Sequence, residues 1–219
     1  MTSPSTSIED YLGAIFRMQP DERLPLPLGE LQQHFGFSPI SIHEMIQKLV
    51  QRGLAEYIPY KGVRLSDTGR TTAAALVRRH RIWECFLANE LQVPIDEAHS
   101  LAHDLEHAAP DWITERLFAH MGEPDACPHG SEITEHASIA VDIPLKDCDP
   151  GKYYRLTRIS PENPLSLKLA RQYGLFPGET IRIKRRIEDH FTVEIDGCDQ
   201  NLQSEELGYF WGTDTTNGA

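Results

Sequence analysis

Ile8, Leu12, Ile15 and Phe16 recur at the three- and four-residue spacing of one helical face, and Thr6-x-x-Glu9 ahead of them reads as a capping box that starts the helix. A proline-rich stretch, 20–27, ends it. A short second helix is predicted over 28–35, stopped by Gly36. Ser38-Pro39 then supplies an N-cap followed by proline at the first helical position, where a missing N–H costs nothing. This third helix runs to about Arg52 with Ile42, Met45, Ile46 and Leu49 facing inward, and Gly53 stops it. Residues 54–57 and 63–65 read as two short strands around Tyr60-Lys61-Gly62. Three helices and a small hairpin is the order of a winged helix-turn-helix.

Ser66 caps a long helix predicted over 67–89, and two more helices follow over 94–108 and 111–121. Residues 122–145 are rich in Pro, Gly and His and read as a linker. Beyond it the pattern changes period. Residues 153–159, 180–187 and 191–195 alternate β-branched and aromatic positions, with one helix, 165–173, ending at Gly174. The expected architecture is mainly α with a C-terminal β part. It comprises a winged helix-turn-helix (1–73), a helical dimerisation and metal-binding region with its linker (74–140), and a small SH3-like barrel (146–219).

Composition narrows the function. No apolar run reaches the ~18 residues of a membrane span, no secretory signal is visible at Met1-Thr2-Ser3-Pro4, and four scattered cysteines do not form a disulfide framework. The expected compartment is the cytoplasm. A net charge of −12 argues at first against nucleic acid. The charge is unevenly spread: residues 1–75 hold seven Lys/Arg and eight Asp/Glu, the remainder fourteen and twenty-five. A near-neutral head on an acidic body is compatible with DNA if a few cations are well placed. On the predicted third helix Ser38, Ser41, His43, Glu44 and Gln47 are candidates for base edges or phosphates, and Lys48, Arg52, Lys61 and Arg64 for phosphates.

The strongest chemical signal is His99-x-x-x-His103-x-x-Glu106-His107. At ~100° per residue these four side chains fall within about 100° of one another, with Ala98, Leu101, Ala102 and Leu105 on the other side of the helix. Imidazole and carboxylate donors together suit Mn, Fe, Co, Ni and Zn; the alternative is a solvated polar face. His80-x-x-x-Glu84 repeats the same-face logic on the preceding helix. Asp10 is ambiguous by itself, since an aspartate in a first turn also stabilises the helix dipole. His103-x-x-Glu106-His107 also matches a metallopeptidase pattern. An enzyme of that type, or a structural metal-binding protein without DNA binding, is the competing reading.

Several segments together resemble one family. They are Glu9-Asp10-Tyr11-Leu12, Met45-Ile46-Gln47-Lys48-Leu49, Tyr60-Lys61-Gly62, Arg79-His80, the run from His99 to His107, and Cys127-Pro128-His129-Gly130. The chain is similar along nearly its whole length to the metal-dependent repressors typified by the diphtheria toxin repressor and the manganese transport regulator. The C-terminal part resembles their FeoA-type domain. The resemblance implies a homodimeric, metal-activated repressor on palindromic double-stranded operator DNA, controlling manganese or iron homeostasis. Mn2+ or Fe2+ is the implied effector, with Co2+, Ni2+ or Zn2+ able to substitute in vitro. It implies a primary site from Asp10, His103, Glu106 and His107. Asp10 matches the aspartate of manganese-responsive members, whereas His103 replaces the cysteine of iron-responsive and the glutamate of manganese-responsive ones. An ancillary site is implied from His80, Glu84 and His99, or from Glu84 with Cys127 and His129. The third-domain ligands of iron-type members fall on Ser166 and Leu169, which are poor substitutes.

Overall fold

The computed structural model describes residues 6–19, 21–133 and 142–215. The chain divides into two compact units, Met1–Arg79 and His80–Ala219.

The first unit holds α1 (Thr6–Met18), α2 (Leu28–Phe35), α3 (Pro39–Gln51) and the hairpin β1 (Ala55–Ile58) and β2 (Gly62–Leu65). The Thr6 side chain, and with it the expected capping box, lies outside the described residues, as does Pro20. Gly36 ends α2 in the left-handed conformation at φ 67°, and Ser38 Oγ caps α3 by accepting from the Ser41 backbone N–H. The predicted inward positions Ile42, Ile46 and Leu49 are buried against Ile8, Leu12, Ile15, Leu31 and Val63. Truncating one of these fully buried aliphatics to alanine costs about 2–5 kcal/mol. The proline-rich stretch is more than a breaker: Leu26 pairs with Val63 through backbone hydrogen bonds of 2.8 and 2.9 Å. Gly62 makes this possible, because a Cβ there would lie 1.9 Å from Leu26 O. Tyr60, at the wing tip, is fully exposed with φ 63°.

Helix α4 (Asp67–Cys85) contains the boundary between the units and ends in a π-helical turn, Phe86–Glu90, where an uninterrupted helix to 89 is predicted. In the second unit α5 (Ile95–Ala108) and α6 (Asp111–His120) follow. Trp83 and Leu87 pack on Ala98 and Ala102 of α5. Ile82 and Cys85 pack on Phe118, Cys127 and Ile133. Leu101, expected on the apolar side of α5, is 44% exposed, because the helix buries only its alanine stripe and Glu106. The described part of the linker is ordered by a bridge between Ala126 and Glu132.

The C-terminal part is a six-stranded antiparallel sheet with α7 (Pro164–Tyr173) and α8 (Ser204–Leu207), an SH3-like domain. Its strands are β3 (Ile143–Pro144), β4 (Tyr153–Ile159), β5 (Thr180–Ile187), β6 (His190–Ile195), β7 (Cys198–Gln203) and β8 (Phe210–Asp214), in the order β3-β8-β4-β5-β6-β7. Tyr154, Ile159, Ile183, Phe191, Val193 and Phe210 fill its core, covered by Leu167 and Ala170 of α7. The sheet and the helices belong to one unit: Ile159 N–H donates to His129 O at 2.9 Å, and Arg171 of α7 pairs with Asp96 of α5 at 3.0 Å.

Candidate functional site

The last turns of α4 carry His80 and Glu84 on one face, and both are buried. His80 Nε2 lies 2.9 Å from Glu84 Oε1, and His80 Nδ1 lies 2.7 Å from Glu106 Oε2 of α5. Glu84 Oε1 is also 2.7 Å from His99 Nδ1, while its second oxygen is 3.1 Å from His129 Nδ1. Glu106 Oε1 in turn faces His103 Nδ1 at 3.2 Å and His107 Nε2 at 3.4 Å. Two buried carboxylates are thus each ringed by imidazoles, and His80 touches both.

Burying a carboxylate away from water is very costly unless a positive charge accompanies it. Burial alone would raise the pKa of Glu84 and lower those of His80 and His129. The mutual attraction of carboxylate and imidazolium wins in each case. It holds Glu84 well below the ordinary carboxylate range, pushes His80 up to about 9 and raises His129. Protons on the imidazoles supply the positive charge this interior requires, and a divalent cation would supply it equally. Ligand atoms of Glu84, His99, His129 and Glu162 lie within 4.8 Å of one another, as do those of His80, His103 and Glu106. The first donor set, two carboxylates and two imidazoles, fits a first-row divalent ion.

His129 comes from the turn after α6, and Gly130 sets that turn against the sheet at φ 82°. A Cβ on Gly130 would lie 1.9 Å from Thr157 O. Cys127 Sγ is 3.8 Å from His129 Nδ1, but Cys127 is not among the four clustered residues; burial, reinforced by Glu84, raises its pKa well above the ordinary thiol value. Glu162 is the residue that sequence reasoning misses. It stands between β4 and α7, where the Ser131 hydroxyl donates to it, and no helical spacing ties it to the other three. Ser166 and Leu169 are buried within the sheet domain, Ser166 in the capping box of α7 with Asn163. Asp10 lies half-buried on α1, in the first unit.

On α3 the side chains of Ser38, Ser41, His43, Glu44 and Lys48 are exposed, as are Arg52 at its end and Lys61 in the wing; Gln47 is half-buried. Ser38 and Ser41 are engaged with each other, Oγ to Oγ at 2.9 Å, in capping the helix. His43 rests edge-on against Tyr57 of the wing, ring centroids 5.3 Å apart.

Residues 4–63 match the N-terminal DNA-binding domain model of iron-dependent repressors, 66–135 their metal-binding and dimerisation domain model, and 143–208 the FeoA domain. A manganese-dependent transcriptional repressor solved in complex with manganese superposes with a TM-score of 0.81 and 32% identity, covering 94% of this chain and 99% of that one. The chain belongs to the iron-dependent repressor family. An HTH-type transcriptional regulator of Methanocaldococcus jannaschii is 34% identical over 117 residues, 53% of this chain and 94% of its own length. The iron-dependent repressor IdeR of Mycobacterium tuberculosis is 24% identical over 159 residues, 73% of this chain and 68% of that protein. Iron-dependent repressors are metal-dependent transcriptional regulators of metal homeostasis, not enzymes, so the metallopeptidase reading of His103-x-x-Glu106-His107 is not favoured. No helix among the described residues is long and apolar enough to cross a membrane.

Proposed function

We propose that this iron-dependent repressor acts as a cytoplasmic homodimer that binds a palindromic operator on double-stranded DNA when it holds divalent metal at two sites per chain. The observation that carries this reading is the burial of Glu84 among His80, His99 and His129, an interior arranged around positive charge. The second site comprises Glu84, His99, His129 and Glu162, with Cys127 beside it. The primary site comprises His103, Glu106 and His107, and the family resemblance alone adds Asp10. His80, hydrogen-bonded to both glutamates, is the link between the two sets. A bound divalent ion supplies a fixed positive charge; the chain's own residues position it and couple it to the fold. In a dimer the spacing of two recognition helices then has to match major grooves about 34 Å apart or a multiple of that. On α3 and the wing, Ser38, Ser41, His43, Glu44 and Gln47 face base edges or phosphates, and Lys48, Arg52 and Lys61 face phosphates.

The effector is Mn2+ or Fe2+, with Mn2+ favoured by the carboxylate oxygens of Asp10 and Glu106 and by the absence of sulfur from the primary set. Affinity alone does not identify it, because almost any such site binds Co2+ or Ni2+ more tightly than Mn2+. Operator footprinting across a metal series, each ion at saturation, is the test. Mn2+ is expected to activate binding and chelator to reduce it to a weak, salt-sensitive background. Equal footprints with and without metal would refute the switch. Activation by Fe2+ under anaerobic conditions but not by saturating Mn2+ would overturn the manganese preference alone.

A further inference from the structure

Glu162 comes from the segment between β4 and α7, and two hydroxyls hold it from opposite ends. Ser166, fully buried on α7, works on its main chain. The Ser166 Oγ accepts from the Asn163 backbone N–H at 3.0 Å and donates to the Pro161 carbonyl at 2.8 Å. One side chain thus grips the residues on both sides of Glu162. The helix does not depend on this hydroxyl alone, because Asn163 Oδ1 accepts from the backbone N–H groups of Leu165 and Ser166. Ser131 works on the carboxylate. It follows His129 in the same turn, where its carbonyl accepts from the Cys127 backbone N–H, and its hydroxyl donates to Glu162 Oε1. An ionised carboxylate accepts at both oxygens, so the bond to Ser131 leaves Oε2 for another partner. Glutamate is long and rotamer-rich, and immobilising it to bind an ion costs entropy unless something fixes it beforehand.

We propose that Ser131 and Ser166 are positioning residues for the second metal site, holding Glu162 ready beside Glu84, His99 and His129 before a divalent cation arrives. The inference rests on the second site proposed above and deepens it. Ser166 sets where the backbone of Glu162 lies. Ser131 sets the carboxylate and ties it to the turn that carries His129. Both hydroxyls are engaged, Ser166 with the main chain and Ser131 with Glu162, so each acts through Glu162 and not on the ion. Outer partners that orient a ligand in this way are worth about 10- to 100-fold in metal affinity.

The test is calorimetric titration of the metal-free full chain with Mn2+. Glu162→Ala is expected to weaken one of the two classes of site, in which Glu84, His99 and His129 remain, and so to mark the second site. Ser131→Ala and Ser166→Ala are each expected to weaken that same class by about 10- to 100-fold and to leave the other unchanged. Ser131→Thr restores the hydroxyl and is expected to bind as the wild type does. Double variants separate positioning from mere stabilisation. In a Glu162→Ala background neither serine substitution is expected to cost further affinity, because each acts only through the missing carboxylate. This holds even where Ser166→Ala lowers the urea midpoint. Wild-type affinity in a single serine variant overturns the role given to that serine, and so does a further loss in its double variant. If Glu162→Ala leaves both classes intact, the second-site reading fails and takes this inference with it. If Glu162→Ala weakens one class and the serine variants do not, only this inference fails.

Discussion

Glu84 Oε2 stands 3.1 Å from His129 Nδ1, joining helix α4 to the turn that follows α6. The other oxygen of the same carboxylate is 2.7 Å from His99 Nδ1 on α5. One buried side chain therefore ties together three segments that are distant in sequence.

Replacing Glu84 by Gln keeps the shape and removes the charge. His80 and His129 then each lose a charged partner in the interior, and His80 keeps only Glu106. Breaking a buried ion pair from one side costs about 3–5 kcal/mol. Urea unfolding of the metal-free protein is expected to show a loss of that order, and calorimetry the disappearance of one class of metal site. An unchanged midpoint together with unchanged metal stoichiometry refutes the central role given to this carboxylate.

Gly130→Ala tests the same site from its support. A side chain there would strike Thr157 O, so the turn must move off β4 and carry His129 with it. Weaker metal binding at the second site is expected from a residue that offers no ligand atom, with little change at His103, Glu106 and His107. Wild-type affinity at both sites would mean that the turn is free to adjust.

Metal is expected to stabilise the fold as well as the DNA-binding state. At a free concentration one hundred times the Kd, a ligand bound only by the native protein adds about 2.7 kcal/mol. Thermal unfolding with Mn2+ and with chelator gives the comparison. Identical transitions at saturating metal would show that the unfolded chain binds the ion equally well, or that the clustered residues do not bind it.

The pH dependence of the sheet domain follows from Asp142. Burial would raise its pKa, but hydrogen bonds from Arg158 at 2.8 Å and Thr157 at 2.7 Å outweigh it and hold the carboxyl below its ordinary 3.8. The folded state binds this proton less readily than the unfolded state, so the pair contributes stability above the ordinary value and loses it as pH falls through the depressed folded one. Asp142→Asn is expected to be less stable than wild type at neutral pH, with the gap closing progressively below pH 3.8. A gap of constant size down to strong acid would assign the loss to packing around Trp211, over whose ring Arg158 lies at 4.0 Å.

Elements whose signals are local are legible in the order of residues alone. Ser38-Pro39 begins α3, Gly36 ends α2, and β4 and β5 occupy the residues their alternation predicts. Helix geometry alone puts Glu84 four residues along one face from His80, and groups His99, His103, Glu106 and His107. What lacks a local period depends on long-range packing. Strand β7 was not legible, because it is a polar edge strand in which only Leu202 is buried, so half-burial left no alternation to read. Leu26 joins the wing through main-chain hydrogen bonds, which carry no side-chain signature. Glu162 reaches the neighbourhood of Glu84 because the turn around His129 is hydrogen-bonded to β4. Sequence spacing fixes which donors share a helix face, but a cluster gathered from two helices and two loops depends on where the chain folds back. That is settled by long-range packing and by the need of a buried carboxylate for positive charge.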